Sequence, residues 1–486
     1  MTLAVIAVYL GLVILVGSLS HRLFRGTGED YFVASRSIGP FLLLMSLFGT
    51  NMTAFAILGA SGEAYHEGIG VFALMASASA LVIPCVFFFV GTRVWALGKR
   101  HGFLTQAQFF RQRWQSDGLG LLLFVVLVAL LVPYLLIGIM AGGLTLQQIT
   151  GGQVPEWAGG LLVCAVVMTY VCYGGLRGTA WANAFQTLVF TILGGVAFFV
   201  IISQLGGLGA VMTALGESHP DLLVRGDHIK PLKLLTYTCI PLSVGMFPHM
   251  FMHWLTARSA GTFRTPLVLY PLCIAAVWVP SVVLGVAGRL DFPALKGPAA
   301  NSILVRLIDL HAPEVMAGLL AAGVFAAVMS SLDSQSLSVG TMFTQDVVRH
   351  YGFHDRMSER QQVLYGRLFV ALVLVVAYVL AQVSNRSIFQ LGVWSFTGFA
   401  SLFPVVAAAV FWRRSTRWGA FASIAAVVVL WTWFFVRGWQ SPDHALAGGV
   451  MPVAVILAVS VAAMVLVSLA TRPPDRAVVD RFFPRD

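Results

Sequence analysis

The sequence predicts an all-α polytopic membrane protein with about thirteen transmembrane helices, ten of them in a five-plus-five inverted repeat. Three observations predict it. Of 486 residues, 58% are hydrophobic and 10% charged, with a mean hydropathy of +0.86, a balance foreign to soluble globular domains. Apolar runs of about 20 residues, each one bilayer core in length, recur from end to end. Two of these runs are broken by polar residues, glycine and proline at corresponding positions. The length of the runs and the lack of two-residue alternation exclude a β-barrel.

The first run, MTLAVIAVYLGLVILVGSLSHRLFR, has no basic residue before its apolar part, and its positive charges follow it. It reads as a retained span with its amino end outside, not a cleaved signal. The other spans are expected at about 38–63, 69–97, 118–148, 156–174, 180–204, 233–257, 265–287, 313–346, 364–384, 388–411, 417–437 and 449–470. With this topology, 21 of the 30 Lys and Arg fall on the inner side and eight on the outer side, loop after loop. That asymmetry is the positive-inside rule, so the net charge of +10 reports topology and not nucleic acid.

Two segments exceed turn length on the outer side, at about 205–232 and 288–312, and neither has the apolar content of a separate domain. The inner segment from Lys99 to Asp117 is polar enough to lie along the membrane surface. The five cysteines lie in apolar segments without metal-type spacing, which speaks against a disulfide framework.

The first break is FGTNMTAF, Phe48 to Phe55, and the second is PLSVGMFPH, Pro241 to His249. Each frees backbone groups that the membrane tolerates only where they line a site. Each break opens a group of five spans, the pattern of an inverted repeat with a binding site at the midplane. The expected organisation is an extra span and inner loop at 1–37, a first repeat at 38–204 and an outer loop at 205–232. A second repeat at 233–412 follows, then two peripheral spans and a cytoplasmic tail at 413–486.

The densest polar chemistry lies in AAGVFAAVMSSLDSQSLSVGTMFTQD, Ala321 to Asp346. At 3.6 residues per turn, Ser330, Ser331, Ser334, Ser338 and Thr341 share an arc of roughly 100°, with Asp333 at its edge. One or two serines are ordinary glue between membrane helices. Five aligned hydroxyls beside a carboxylate instead suggest hard oxygen ligands for a small cation, because an unpaired charge in a membrane helix costs about 3 kcal/mol or more.

On these residues the chain resembles the sodium:solute symporter family from about Asp30 to Arg417. DYFVASRSIGPFLLLMSLFGTN is similar to the family's opening, YGGLRGTAW (Tyr173 to Trp181) to its inner-loop signature, and FPHMFMHWLTA (Phe247 to Ala257) to its seventh-span motif. AAVMSSLDSQ, Ala326 to Gln335, is the most specific match. The resemblance implies a leucine-transporter-like fold with discontinuous first and sixth core helices, working by alternating access. It also implies a sodium site formed by Gly49, Met52, Ala327, Ser330 and Ser331. Five oxygens without formal charge suit Na⁺ better than a divalent ion.

Three departures accompany the likeness. The seventh-span arginine position reads His253. Where some relatives carry an aspartate after the inner-loop signature, this chain has Asn183, and Asp333 and Ser334 replace two serines. Either Asp333, Ser334 and Asn183 form a second Na⁺ site with Ser330, or Asp333 is protonated or bonded to neighbouring hydroxyls. Ala56 and Met75 stand where sugar-carrying relatives have a glutamine and a glutamate. A sugar would leave hydroxyls unpaired there, at about 1–3 kcal/mol each.

The expected function is Na⁺-coupled symport of a small organic solute, with no organic cofactor, no nucleic acid and no obligate protein partner. The bilayer is the other partner, and the place is the bacterial inner (plasma) membrane, carboxyl end cytoplasmic. A cavity between the breaks would be lined by Asn51, Phe55, Met75, Ser243, Phe247 and His249 and closed by Trp394 and Phe396. Its mostly apolar lining and positive half-helix ends favour a small monocarboxylate, with a proline-like amino acid as the alternative. A transporter-like sensor and an intramembrane enzyme built on His249, His253, Glu63 or Glu67 are the other classes, and the enzyme lacks a further ligand pattern.

Overall fold

A computed structural model describes residues 2–20, 36–226, 229–352, 358–438 and 446–483. Its regular elements are helices, apart from an isolated β-bridge between Ile38 and Ala257. Among the described residues, nine helices are long and apolar enough to cross a membrane, and two further pairs are spans bent at a break. Shorter apolar helices cover Ala4–Val16 and Glu156–Thr169. Every expected span therefore carries an apolar helix. The signature side chains of residues 172–178 and the opening motif up to Ser35 lie outside the description.

The first broken span joins Pro40–Asn51 to Phe55–Glu67 at 58°. Its local cause is Thr53. The Thr53 hydroxyl accepts from the Phe55 amide at 3.0 Å and its carbonyl accepts from Ala56 at 2.9 Å, restarting the helix in place of continuing it. The second joins Pro231–Gly245 to Pro248–Leu255 at 52°. Pro248 has no amide proton, and it holds Phe247 in an extended conformation with ψ 122. The Ser243 carbonyl gathers the amides of Met246 and Phe247 at 2.9 and 3.1 Å, so the break costs few unmade bonds.

The hydroxyl-rich helix Glu314–Met342 runs through the middle of the bundle, buried along nearly its whole length. It packs on the Glu156–Gln204 helix, on Asp117–Ile149 and on both breaks. Around this core, Gln361–Val383, Arg417–Gly438 and Pro452–Ala470 bury only about a third of their residues and present Leu, Val and Trp outward.

The segments expected as loops hold structure. Leu208–Ser218 and Ile303–His311 are helical, and Ile69 donates to the Leu222 carbonyl at 2.9 Å, which ties Leu222 to the end of the first broken span. The polar stretch after Lys99 is exposed at Lys99, Arg100, Gln115 and Asp117 and mostly buried between them. It forms the helix Gln106–Trp114, in which Gln106, Phe109, Phe110 and Arg113 are fully buried. Arg113 donates to the carbonyls of Ala409 and Trp412 and to Ser415 Oγ at 3.0–3.1 Å. Burial lowers its guanidinium to about 10, which leaves it cationic at neutral pH. Polarity here marks buried helix ends being satisfied, a role that composition cannot separate from exposure.

At the arginine-rich end of the bundle the two breaks are tied together. Ile38 donates to the Thr256 carbonyl at 3.1 Å, and Arg258 donates to the Ile38 carbonyl at 3.0 Å. Arg36 reaches the carbonyls of Leu255 and Phe103 at 3.1 and 2.9 Å.

Candidate functional site

Polar groups converge where the first break meets the hydroxyl-rich helix. The Ser330 hydroxyl lies 2.9 Å from the Gly49 carbonyl and 3.0 Å from that of Ala327. Three of the five residues expected to hold sodium thus meet at the Ser330 hydroxyl. Ser331 is buried one position on, its hydroxyl turned back to the Val328 carbonyl at 3.0 Å. Met52, also buried, ends the first half-helix with ψ 84, and its amide bonds Phe48. Gly49 is needed for the approach. A Cβ there would fall onto the Thr187 hydroxyl and 3.2 Å from the Asn183 carbonyl.

Directly beside this lies the carboxylate of Asp333, fully buried. In the orientation that satisfies both ends of its amide, Asn183 donates to the two Asp333 oxygens at 3.1 and 3.2 Å and to the Ser330 carbonyl at 2.9 Å. The Ser334 hydroxyl lies 2.7 Å from the Asn183 oxygen and 3.2 Å from Asp333 Oδ1. His253 Nε2 stands 3.4 Å from Ser334 Oγ, in place of the family's arginine. The sequence brings Asn183, Asp333 and Ser334 together as expected. Their bonds to one another surround the Asp333 carboxylate with an amide and a hydroxyl.

Between the breaks sits a cluster of rings. Phe247 stacks on His249 with centroids 5.1 Å apart, and Phe396 meets Phe247 at 5.5 Å and Phe55 at 5.0 Å. Four of the expected cavity residues therefore meet. Tyr134, from the Asp117–Ile149 helix, contacts Phe247, His249 and Phe396 at 5.4, 5.8 and 4.9 Å. Phe399 joins at 4.9 Å from Phe247. Sequence reasoning missed both. The only signal for Tyr134 was a phenol after Pro133 inside a long aliphatic run.

The other expected residues lie elsewhere. Asn51 donates to the Tyr270 hydroxyl at 2.7 Å. Met75 is buried in the widened turn Phe72–Ala76, and Ser243 is buried in the turn of the second break. Trp394 does not close the cluster, because its ring packs on Trp431 and Phe435 of the peripheral helix at 6.5 and 5.5 Å. Among the described residues, both nitrogens of His249 in the ring cluster have no hydrogen-bond partner, and Tyr134 Oη has only the Thr53 side chain near it. A buried polar atom left unpaired amid apolar rings is costly, so a group that bonds it there is favoured.

The chain is 25% identical to the high-affinity proline transporter PutP of Bacillus subtilis (strain 168), over 93% of this chain and 95% of that one. It is 25% identical to the sodium/proline symporter of Escherichia coli (strain K12), over 100% and 96%. The fold matches a Na⁺-coupled sialic acid symporter, solved substrate-bound and outward-open, with TM-score 0.78, 16% identity and coverage of 98% and 99%. Mhp1, a nucleobase-cation-symport-1 family transporter, follows at TM-score 0.61 and 15% identity, covering 93% and 98%. The pattern of the sodium:solute symporter family matches residues 31–427. With the five-plus-five fold and its two broken helices in place, the chain belongs to the sodium:solute symporter family, a family of multi-pass membrane transporters.

Proposed function

We propose that the protein imports a compact, proline-like amino acid together with sodium. The observation that carries this reading is the pair of His249 nitrogens, unpartnered among the described residues, set against the Tyr134 ring inside the cluster between the breaks. A small cyclic amino acid places its apolar ring against Phe55, Phe247 and Phe396. Its ammonium needs acceptors, which one His249 nitrogen and the freed carbonyls of the breaks supply. Its carboxylate needs donors, which the Tyr134 hydroxyl and the half-helix amides supply. The likeness to proline symporters supports the same solute.

This replaces the expectation of a monocarboxylate. That expectation came from the mostly apolar lining and the positive half-helix ends, and it left no use for acceptors. Sodium takes Gly49, Met52, Ala327, Ser330 and Ser331 as ligands, with Ser331 turning its hydroxyl from Val328 to the ion. The repeats run over 38–204 and 233–412, and the amino end lies outside.

Proteoliposome uptake tests the reading. Labelled proline accumulates under an inward sodium gradient and not in choline. Tyr134→Phe raises the apparent KM for proline about tenfold, the worth of one hydrogen bond to a charged group. Equal uptake in choline would overturn the sodium coupling. Competition by short monocarboxylates and none by proline would restore the earlier substrate.

A further inference from the structure

A second feature lies outside the transport path, where the peripheral helices Arg417–Gly438 and Pro452–Ala470 end at the arginine-rich face. A cavity of about 410 Å³ opens there, lined among others by Trp114, Gln115, Arg417, Trp418, Arg472 and Asp475. Four separate observations mark it as a binding site.

Trp114 is 4% exposed, and among the described residues its indole N–H has no hydrogen-bond partner. A buried donor of this kind leaves an acceptor to be supplied. The arginines of this face divide into two groups. Arg113, Arg413 and Arg414 spend their guanidinium groups on carbonyls of neighbouring segments. Arg417 and Arg472 face the cavity, and among the described residues neither has an ion pair or a side-chain hydrogen bond. Arg417 also begins a 22-residue helix capped by Thr416, whose hydroxyl accepts from the Gly419 amide at 3.2 Å, and the helix dipole adds positive potential at the same place. Finally, Trp418, Leu466 and Leu469 beside the cavity are 53%, 66% and 58% exposed, so an apolar, lipid-facing flank adjoins it.

Two cations and an indole donor call for a doubly accepting anion such as phosphate. Asp475, on the same wall, calls for a donor next to that phosphate. The apolar flank calls for acyl chains. We infer that this cavity binds the phosphodiester of a membrane phospholipid whose head group bears a donor, ethanolamine or glycerol. The phosphate sits between Arg417, Arg472 and the Trp114 N–H, the head-group donor meets Asp475, and the acyl chains run along the Pro452–Ala470 helix.

The test uses the full chain purified in detergent, with thermal unfolding and native mass spectrometry as readouts. Phosphatidylethanolamine or phosphatidylglycerol raises the unfolding temperature and stays bound in the gas phase, whereas phosphatidylcholine and inorganic phosphate do neither. Arg417→Gln with Arg472→Gln weakens lipid binding by about fivefold per arginine. Trp114→Phe, which keeps the ring and removes the N–H, weakens it as well and carries the test if the double variant does not fold. Arg437→Gln, at the far end of the same helix, leaves it unchanged. Equal stabilisation by phosphatidylcholine, or lipid affinity untouched by Trp114→Phe, overturns the site. An equal shift with inorganic phosphate alone overturns the lipid as its source.

Discussion

The Ser330 hydroxyl donates to the Gly49 carbonyl at 2.9 Å, joining two helices 281 residues apart in the chain. The contact exists because Gly49 has no side chain on the face that meets Thr187 and Asn183. Gly49→Ala is expected to destabilise the protein by about 1–3 kcal/mol through overpacking. Thr187→Ala removes the obstructing hydroxyl, so the double variant recovers part of the loss in a double-mutant cycle of detergent unfolding. Additive losses would show that the crowding lies elsewhere.

Sodium dependence separates the two adjacent serines from their packing roles. Ser330→Ala raises the sodium concentration for half-maximal uptake by roughly tenfold, the worth of one good oxygen contact. Ser331→Ala raises it less, because its hydroxyl must first leave the Val328 carbonyl. Both variants keep the unfolding temperature within a few degrees, since Ser→Ala opens almost no cavity. Uptake kinetics at varied sodium, beside unfolding curves, check the pair.

For Asp333, the bonds from Asn183 and Ser334 predict one sodium per cycle. Asp333→Asn should leave the Hill coefficient of sodium activation unchanged. It should lower stability, because an amide in that place turns a donor toward the Asn183 donor. A Hill coefficient that falls toward one in the variant alone would instead establish a second ion.

Arg111 donates to Asp346 through Nη1 at 3.5 Å and reaches the Asp346 carbonyl at 3.1 Å, with the Asp346 side chain fully buried. Arg111→Gln strands that carboxylate, an expected loss of about 3–5 kcal/mol. Arg111→Gln with Asp346→Asn restores much of it. Chemical unfolding of the three variants reads the difference directly.

Much of the fold was legible because membrane insertion writes itself in long apolar runs, and the breaks at Asn51 and Pro248 interrupt them visibly. The serines of the central helix were legible because hydroxyls at that density have no place against lipid. Side-chain partnerships across the bundle were not. Tyr134 and Trp394 look alike as aromatics in apolar spans, and only packing turns the first toward the breaks and the second toward Trp431. The burial of the Gln106–Trp114 helix was illegible for a related reason. Its charges serve carbonyls that belong to distant segments, and no local pattern reveals them.

The tie between Ile38 and the Thr256–Arg258 segment is made by main-chain atoms. A closure of that kind is indifferent to which side chains its residues carry, so it survives genetic drift that would erode a salt bridge. Evolution can retune the solute and the ion around it without renegotiating how the two halves meet. Proline, which removes the amide proton, is the substitution such a seam cannot absorb at Ile38 or Arg258.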